Sequence, residues 1–172
     1  NASSGIGYRT AYGCPGLDKV NVCSPASWNP DSWTISWKLQ GDASSRFGES
    51  VAIAHDAQNV SWIYTLVACG APDSAAGVVY VYKANASTFG SPPVAQTLAP
   101  DNGQTGDKFG YSCSMCTNTR TLAVGAPYRN SQTGAVYVYT YSGTGSPYTL
   151  QANILPQTTS PAQAGWSVAI AG

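Results

Sequence analysis

The sequence predicts an all-β fold assembled from repeated four-stranded antiparallel units. Three short motifs recur in the same order along the chain, at spacings of about 55 to 62 residues. Each motif has the composition of a β-strand, and no segment shows the 3.6-residue periodicity of an amphipathic helix. The internal repeat is therefore the feature that organises the chain.

The first motif of each unit joins a glycine to a short strand in which small polar and apolar residues alternate. It reads RFGESVAIA at residues 46–54, KFGYSCSMC at 108–116 and GWSVAIA at 165–171. Alternation with a period of two is typical of a strand that has one face against a core. Three copies of a first strand are therefore predicted.

The second and third motifs supply the next two strands of each unit. An apolar run that ends in Gly-Ala-Pro occupies residues 66–72 and 122–127. Proline cannot donate a ladder hydrogen bond, so it marks the end of a strand. Glycine followed by alternating valine and tyrosine occupies residues 77–82 and 134–139, and this β-branched and aromatic composition favours strands.

A fourth segment in each unit ends in leucine, at residues 33–39, 94–98 and 148–155. Four short antiparallel strands per repeat make the blade of a β-propeller. We therefore predict a repeat region over residues 33–172, with two nearly complete blades at about 47–100 and 109–156 and partial strands on either side. Residues 1–32 are predicted to form a cysteine-containing N-terminal cap or a diverged segment.

The order Phe-Gly-x-Ser, strand, Gly-Ala-Pro, Gly-x-Val-Tyr-Val-Tyr resembles the FG-GAP repeat of integrin α-subunit propellers and related surface proteins. The resemblance runs from about Phe47 to Pro156. It implies propeller blades of the kind found in surface proteins.

In many FG-GAP repeats a Ca²⁺ loop with alternating aspartates follows the first strand. The corresponding links here are residues 55–61 and 117–120, and neither supplies alternating carboxylates. Because Ca²⁺ takes about six to eight oxygen ligands, we expect no metal at these positions and no cofactor. Residues 101–107 are oxygen-rich and are expected to form a surface turn.

Composition narrows the functional classes. The chain has 172 residues, 8 basic and 8 acidic side chains, and only 9% charged residues. A balanced, charge-poor chain has no electrostatic footprint for nucleic acid or anionic membrane. No apolar run reaches the roughly 18 residues of a membrane helix, so we expect a globular protein that does not span a membrane.

Cysteines and glycosylation sequons favour an extracellular or cell-surface location. Cys113 and Cys116 have metal-site spacing but no second cysteine pair, so disulfides are the preferred reading. Cys14 and Cys23 form the easy local pair, while Cys69 would bond either Cys113 or Cys116 and leave one thiol free or joined to another chain. N-linked glycans are expected, with O-linked glycans as a further option, at sequons on Asn1, Asn59, Asn85 and, more weakly, Asn21.

Catalytic chemistry finds little support in the residue types present. His55 is the single histidine, and no Gly-x-Ser-x-Gly elbow occurs. Glu49 and Asp107 occupy nearby repeat positions, but turns at strand ends account for them more simply than paired-carboxylate chemistry. We therefore expect no enzyme. The alternating tyrosines are expected to pack between blades rather than to form a binding platform, and they are Tyr80, Tyr82, Tyr137, Tyr139 and Tyr141.

The ends of the repeat region suggest how the protein works. Two blades cannot close a propeller, which takes about four to eight, so we predict an incomplete propeller with open edges. Residues 165–172 read as a first strand without partners, and unpaired strand edges are templates for another chain. The candidate assembly residues are Trp28, Trp33, Trp37, Trp166, Val168 and Ile170.

Two functional hypotheses arise from this organisation. The first is an extracellular, glycosylated structural or adhesive protein that assembles as a homo-oligomer or polymer. Its blades would join neighbouring copies head to tail by strand complementation, giving a filament or coat. The alternative is a fragment of an integrin-α-like propeller that binds a protein or carbohydrate ligand.

Overall fold

The computed structural model describes residues 10–17, 19–25, 33–56, 64–85, 94–116, 118–142, 146–158 and 160–171. Eleven strands in these ranges form three antiparallel sheets of three, four and four strands. The predicted all-β, antiparallel architecture is confirmed, and the described residues form no closed propeller.

The sheet β4–β7 forms the predicted blade at about 47–100, with its strands in sequential order along the chain. We call it the second blade because a three-stranded sheet, described below, precedes it. Its strands are β4 (Val51–Asp56), β5 (Tyr64–Ala71), β6 (Val78–Asn85) and β7 (Val94–Leu98). The β5 side chains described, from residue 65 to the end of the strand, are buried on both faces of the sheet. An apolar run of this kind is typical of a central strand covered on both sides.

The third blade is the sheet β8–β11, which repeats the same order. Its strands are β8 (Ser112–Cys116), β9 (Thr121–Ala126), β10 (Ala135–Thr140) and β11 (Thr149–Ile154). Along β10 the burial alternates from residue to residue, with Tyr137 and Tyr139 buried and Val136 and Val138 half-buried. The strand therefore has one covered face and one open face.

The first sheet contains β1 (Thr10–Cys14), β2 (Lys19–Pro25) and β3 (Trp33–Gln40). It joins the predicted cap, which supplies β1 and β2, to the first segment of the predicted repeat region, which supplies β3. A single turn of 3-10 helix, Pro15–Leu17, connects β1 to β2.

Two apolar clusters lie between successive sheets. Between the first sheet and the second blade, Val20, Val22, Trp37 and Leu39 pack with side chains that include Phe47 and Tyr82. Between the second and third blades, a cluster joins the valines of β6 to the aromatic residues of the third blade. The predicted packing of tyrosines between blades is confirmed for Tyr82, Tyr137, Tyr139 and Tyr141, each of which is at most 6% exposed.

A membrane-spanning helix is absent from the described ranges: no helix there has the length and apolar character required. The helical turn Arg129–Gln132 has only four residues, and Asn130 and Ser131 within it adopt left-handed φ angles of 50° and 56°.

Candidate assembly surface

The phenylalanine that opens each blade fixes the tyrosines of the third strand in that blade. Phe47 is fully buried and meets the Tyr80 ring edge-on, with a centroid separation of 5.7 Å. Phe109 is also fully buried and meets the Tyr137 ring edge-on at 5.1 Å. Edge-to-face pairs of this kind contribute about 0.5–1.5 kcal/mol beyond their buried area. The motif is therefore a packing device that recurs from blade to blade.

The glycine after that phenylalanine binds the start of one blade to the preceding blade. Gly110 begins the third blade, and its carbonyl oxygen accepts a 2.7 Å hydrogen bond from Ser50 Oγ of the second blade. The same oxygen lies so close to Gly70 that a Cβ on Gly70 would overlap it. Glycine is required where two backbones approach this closely.

The same junction appears a second time, between the third blade and the residues after it. Ser112 Oγ donates a 2.7 Å hydrogen bond to the carbonyl oxygen of Gly165, and a Cβ on Gly125 would overlap that oxygen. A parallel bridge joins Gly134 to Ala164, as another joins Gly77 to Phe109. The chain after residue 163 is therefore docked on the third blade as the start of a further blade.

Residues 165–171, here called the terminal segment, have the sequence of a first strand without its structure. Residues 167–171 are identical in sequence to residues 50–54, most of which lie in β4. Residues 51–54 pair with β5, whereas the terminal segment is irregular. The Ile170 backbone N–H donates a 3.0 Å hydrogen bond to Ser114 Oγ. A strand requires a neighbour for its backbone hydrogen bonds, and the described residues supply none here.

The outer face of the third blade is exposed where its counterpart in the second blade is buried. We define this face by Val136, Val138 and Ile154. In the second blade the corresponding side chains are 0%, 1% and 5% exposed, and they are Val79, Val81 and Leu98. On the third blade Ile154 is 56% exposed and the two valines are half-buried. The second-blade face is covered by the third blade, and no described residue covers the next face to that extent.

Comparison with known families identifies the repeat. Residues 94–139 match the family model described as the FG-GAP repeat. The chain carries an FG-GAP repeat. The matched region runs from β7 of the second blade to β10 of the third, so it spans the junction that Gly110 makes. A search of curated proteins found no match to the chain.

The first sheet has the strand order and residue pairing of the last three strands of a complete blade. In each of the three sheets an equivalent residue pair joins the last two strands. The pairs are Val20 with Leu39, Val79 with Leu98, and Val136 with Ile154. The register shifts at the same place in each sheet, after Val22, Val81 and Val138. Strands β1, β2 and β3 therefore correspond to the second, third and fourth strands of a blade.

A sequence signal for this first blade was present. Gly13 lies opposite Val20, as Gly70 lies opposite Val79, so Gly13-Cys14-Pro15 stands where the two complete blades have Gly-Ala-Pro. One substitution in the tripeptide, and Asn21 in place of the first tyrosine of the third strand, concealed the repeat.

The predicted assembly residues lie in different environments. Trp37 is 2% exposed inside the core between the first sheet and the second blade, so we leave it out of the proposed surface. Trp166 is 48% exposed, and its ring lies 4.7 Å from that of Tyr111. Val168 and Ile170 are half-buried in the terminal segment. Trp28 and the side chain of Trp33 lie outside the described residues.

The predicted glycosylation sites fall mostly outside the described part of the chain. Asn1 and Asn59 are among the residues without a description, as is the side chain of Asn85 at the end of β6. Asn21 is described and is half-buried on β2.

Three cysteines are described as free thiols, and they are Cys69, Cys113 and Cys116. Burial raises the pKa of the Cys113 thiol to about 12 and that of Cys69 well above its usual value. Hydrogen bonding by Thr119 lowers the pKa of Cys116. Backbone register places Cys14 opposite Lys19 and Cys23 opposite Thr10, four residue pairs apart. That spacing is roughly 13 Å along a strand, which exceeds the reach of a disulfide.

The oxygen-rich loop at residues 101–107 is organised by an ion pair. Asp107 is 5% exposed, accepts a 2.9 Å hydrogen bond from the Gln104 backbone N–H, and forms a 2.9 Å ion pair with Arg129. Arg129 also donates to the Asn102 carbonyl at 3.0 Å. A guanidinium therefore occupies the centre of the loop, which is an unfavourable neighbour for a divalent cation.

Other candidate chemistry is dispersed. The Nδ1 atom of His55 lies 3.3 Å from the Thr65 hydroxyl oxygen across the β4–β5 pair. The Glu49 carboxylate is bound to Arg46 by a salt bridge of 2.6 Å. Within the part of the chain that the structure describes, no three histidine, cysteine, aspartate or glutamate side chains cluster as metal ligands would.

Proposed function

We propose that this protein is an extracellular structural or adhesive module whose FG-GAP blades assemble head to tail with neighbouring copies into a filament or coat. The observation that carries the proposal is the outer face of the third blade. Val136, Val138 and Ile154 are exposed or half-buried there, while the same positions of the second blade are almost completely buried. Another blade stacked on this face would remove them from water, which is the main favourable term in protein association.

The terminal segment supports the same contact. It is docked on the third blade through Gly165, as Gly110 is docked on the second, and its sequence forms a strand at β4 when a pairing partner is present. An unpaired strand of this kind binds another chain through main-chain hydrogen bonds. Both features point to the same end of the blade stack.

The family match and the composition support the extracellular, glycosylated and non-enzymatic parts of the proposal. FG-GAP repeats are typical of extracellular proteins, and the matched repeat at residues 94–139 carries that association. The sequons, the low charge and the scarcity of acid–base residues agree with a secreted structural protein. Intact mass before and after enzymatic deglycosylation of native material tests the glycans directly.

A ligand-binding propeller is the second candidate, and a cluster of aromatic rings around the exposed Trp166 favours it. The Trp166 ring lies 4.7 Å from Tyr111 and 6.3 Å from Tyr128. The preceding junction has Glu49 and Asp73 at the positions of Tyr111 and Tyr128, so the repeat itself does not require aromatic residues there. Exposed aromatic rings suit a carbohydrate or a protein ligand. In that case the blades that complete the propeller belong to the same polypeptide.

Particle size and shape separate the two candidates. We expect light scattering and negative-stain electron microscopy of the purified chain to show multi-copy filaments or sheets. The double variant V136D/V138D should reduce assembly at least tenfold, because stacking would bury two charges. The matched control T97D/A99D adds the same charges at exposed positions of the second blade and should assemble normally. A monomer at all concentrations would contradict the proposal, provided that circular dichroism shows folded protein.

A further inference from the structure

Each chain contains two complementary parts of a blade. The first sheet has the second, third and fourth strands, and the described residues place no strand where β4 and β8 begin the other blades. The terminal segment has the sequence and docking contacts of a first strand, and no described second strand pairs with it. The terminal segment therefore has the sequence of the one blade strand that the described residues do not supply to the first sheet.

We propose that the terminal segment of one copy pairs with β1 of the next copy and completes its first sheet as a four-stranded blade. This inference rests on the proposed function, since it names the surface that receives the neighbouring copy. The second copy is the occupant because its first sheet has the corresponding strand order, residue pairs and register shift. Pairing by strand addition requires only that the terminal segment become extended along the edge of β1.

The complete blades define the register of this pairing. In the second blade Val51 lies opposite Cys69 and Ala52 lies opposite Ala68. The β1–β2 and β5–β6 registers make Tyr12 the counterpart of Cys69 and Ala11 the counterpart of Ala68. Residues 168 and 169 correspond to 51 and 52. Val168 is therefore placed opposite Tyr12 of the second copy, and Ala169 opposite Ala11.

A backbone hydrogen bond at the blade entrance fits the same register. The Gly48 N–H donates to the Gly70 carbonyl oxygen at 2.8 Å, and the Gly110 N–H donates to the Gly125 carbonyl oxygen at 3.0 Å. The corresponding bond would run from the Gly165 N–H to the Gly13 carbonyl oxygen of the second copy. This glycine–glycine bond accompanies the first strand in both complete blades.

One contact accounts for both open features of the chain. A blade that incorporates the terminal segment must stack on the third blade, because Gly165 is already docked there. Its stacking would cover Val136, Val138 and Ile154, as the third blade covers Val79, Val81 and Leu98. The terminal segment and the apolar face, neither of which the described residues pair or cover, are then satisfied together.

Polar residues on the far face of the first sheet are compatible with this stacking. Lys38 and Gln40 are exposed there; the pairs of Asn21 with Lys38 and of Tyr80 with Thr97 make Lys38 the counterpart of Thr97, and Gln40 and Ala99 lie two residues further along their chains. Thr97 and Ala99 are also exposed, although the rest of that face of the second blade is packed against the first sheet. These positions lie at the outer edge of a blade, where stacking leaves them in water.

Disulfide trapping tests the register. The double variant A11C/A169C, treated with a mild oxidant, should give covalent dimers and larger species on a non-reducing gel. The control T10C/A169C moves the acceptor cysteine to the opposite side of the strand and should give at least tenfold less of these species. The single variants A11C and A169C measure the background from the native cysteines.

A synthetic peptide of residues 165–172 gives a second measurement that does not depend on the folding of a variant. Added in excess to the wild-type assembly, the peptide should pair with β1 in place of the terminal segment of the neighbouring copy. The average particle mass should therefore fall. The same peptide with Val168→Pro should have no effect, because proline removes a ladder donor and restricts the backbone.

The outcomes distinguish this inference from the proposed function. One outcome would overturn the inference and leave assembly intact. In it the wild-type protein assembles, A11C/A169C cross-links no better than T10C/A169C, and the peptide does not change the average particle mass. A register-specific disulfide within one chain would also overturn it, since the occupant would then be the same copy. A wild-type monomer would defeat the proposed function itself.

Discussion

Ser112 Oγ donates a 2.7 Å hydrogen bond to the carbonyl oxygen of Gly165, one blade after the identical 2.7 Å bond from Ser50 to Gly110. The two bonds differ in the structure of the chain beyond the accepting glycine. After Gly110 the chain enters β8 and pairs with β9, whereas after Gly165 the chain has no such pair in the described residues. The bond from Ser112 therefore holds the terminal segment on the third blade together with the bond from Ile170 N to Ser114 Oγ.

Ser112→Ala should loosen the terminal segment without unfolding the blades. A hydrogen bond of this kind contributes about 0.5–1.5 kcal/mol, so opening of the segment should become roughly two- to thirteenfold more frequent. Hydrogen–deuterium exchange of a peptide that contains Trp166 measures this opening in unassembled protein. Ser50→Ala is the matched control, because Gly110 stays bound through β8 and β9.

Equal exchange at Trp166 in wild-type and Ser112→Ala protein would contradict this role of the serine. The same experiment at assembly concentration carries a second expectation. If a neighbouring copy pairs with the segment, protection should rise with protein concentration in both proteins.

Arg129→Met should destabilise the third blade strongly. The side chains of Arg129 and Asp107 are only 13% and 7% exposed, and the substitution leaves a buried carboxylate without its cation. Loss of one partner of a buried ion pair typically costs about 3–5 kcal/mol of unfolding free energy. Urea denaturation measures the loss.

The pair between Lys108 and Asp73 is the matched control for this prediction. Its side chains are 30% and 28% exposed, so Lys108→Met should cost less than about 1 kcal/mol. Similar losses for the two variants would show that the ion pair in the 101–107 loop has no special structural role.

The sequence predicted most of the fold because the repeat encodes its own strands. The Val-Tyr alternation at residues 77–82 and 134–139 coincides with β6 and β10, and the Gly-Ala-Pro runs coincide with the ends of β5 and β9. Such local patterns need no tertiary information. The irregular terminal segment could not be predicted, because residues 167–171 repeat a sequence that does form a strand at β4. The difference is the pairing partner.

The candidate site was only partly predictable for related reasons. Trp166 was identified from its place in an unpaired strand, but the exposure of Ile154 depends on which blade covers it. The burial of Asp107 depends on Arg129, which is 22 residues away along the chain and lies between β9 and β10. Trp37 was predicted to lie at an interface and is instead buried in the core. The first sheet, which the sequence pattern did not reveal, encloses it.

The cysteines should react in an order set by their pKa values. Thiolate is the reactive form, so the lowered pKa of Cys116 favours rapid alkylation near pH 8. At that pH a thiol with a pKa of about 12, as burial gives Cys113, is thiolate in only about one molecule in 10⁴. Peptide mapping after brief iodoacetamide treatment should therefore find label on Cys116 and little on Cys113 or Cys69. Urea-unfolded protein, in which all sites should react, is the control.

Alkaline pH should also lower stability through Cys113. An unfolded cysteine ionises near pH 8.5, whereas the buried thiol stays neutral to about pH 12. Between these values the unfolded state binds fewer protons than the folded state, so stability falls as pH rises, by up to about 1.4 kcal/mol per pH unit for this group. Cys113→Ala should reduce that slope. An unchanged slope above pH 9 would contradict the burial of this thiol.

Residue 164 offers a test of which residues meet across two copies. Phe47 and Phe109 each pack on the first tyrosine of the third strand in their own blade, Tyr80 and Tyr137. Ala164 holds the corresponding position before the terminal segment, and Asn21 holds the tyrosine position in the first sheet. Both members of the aromatic pair are thus replaced by smaller residues, as expected if residue 164 of one copy meets residue 21 of the next.

The double variant A164F/N21Y should restore the aromatic pair between copies. Each single variant places one large ring against a small partner and should weaken assembly or leave it unchanged. The double variant should assemble more tightly than the two single effects predict, by about 0.5–1.5 kcal/mol or roughly two- to thirteenfold in dissociation constant. Dilution monitored by light scattering gives the four constants of the cycle. Strict additivity would show that residues 164 and 21 are not in contact. It would count against a blade formed by β1–β3 of one copy and the terminal segment of another, whatever the strength of assembly.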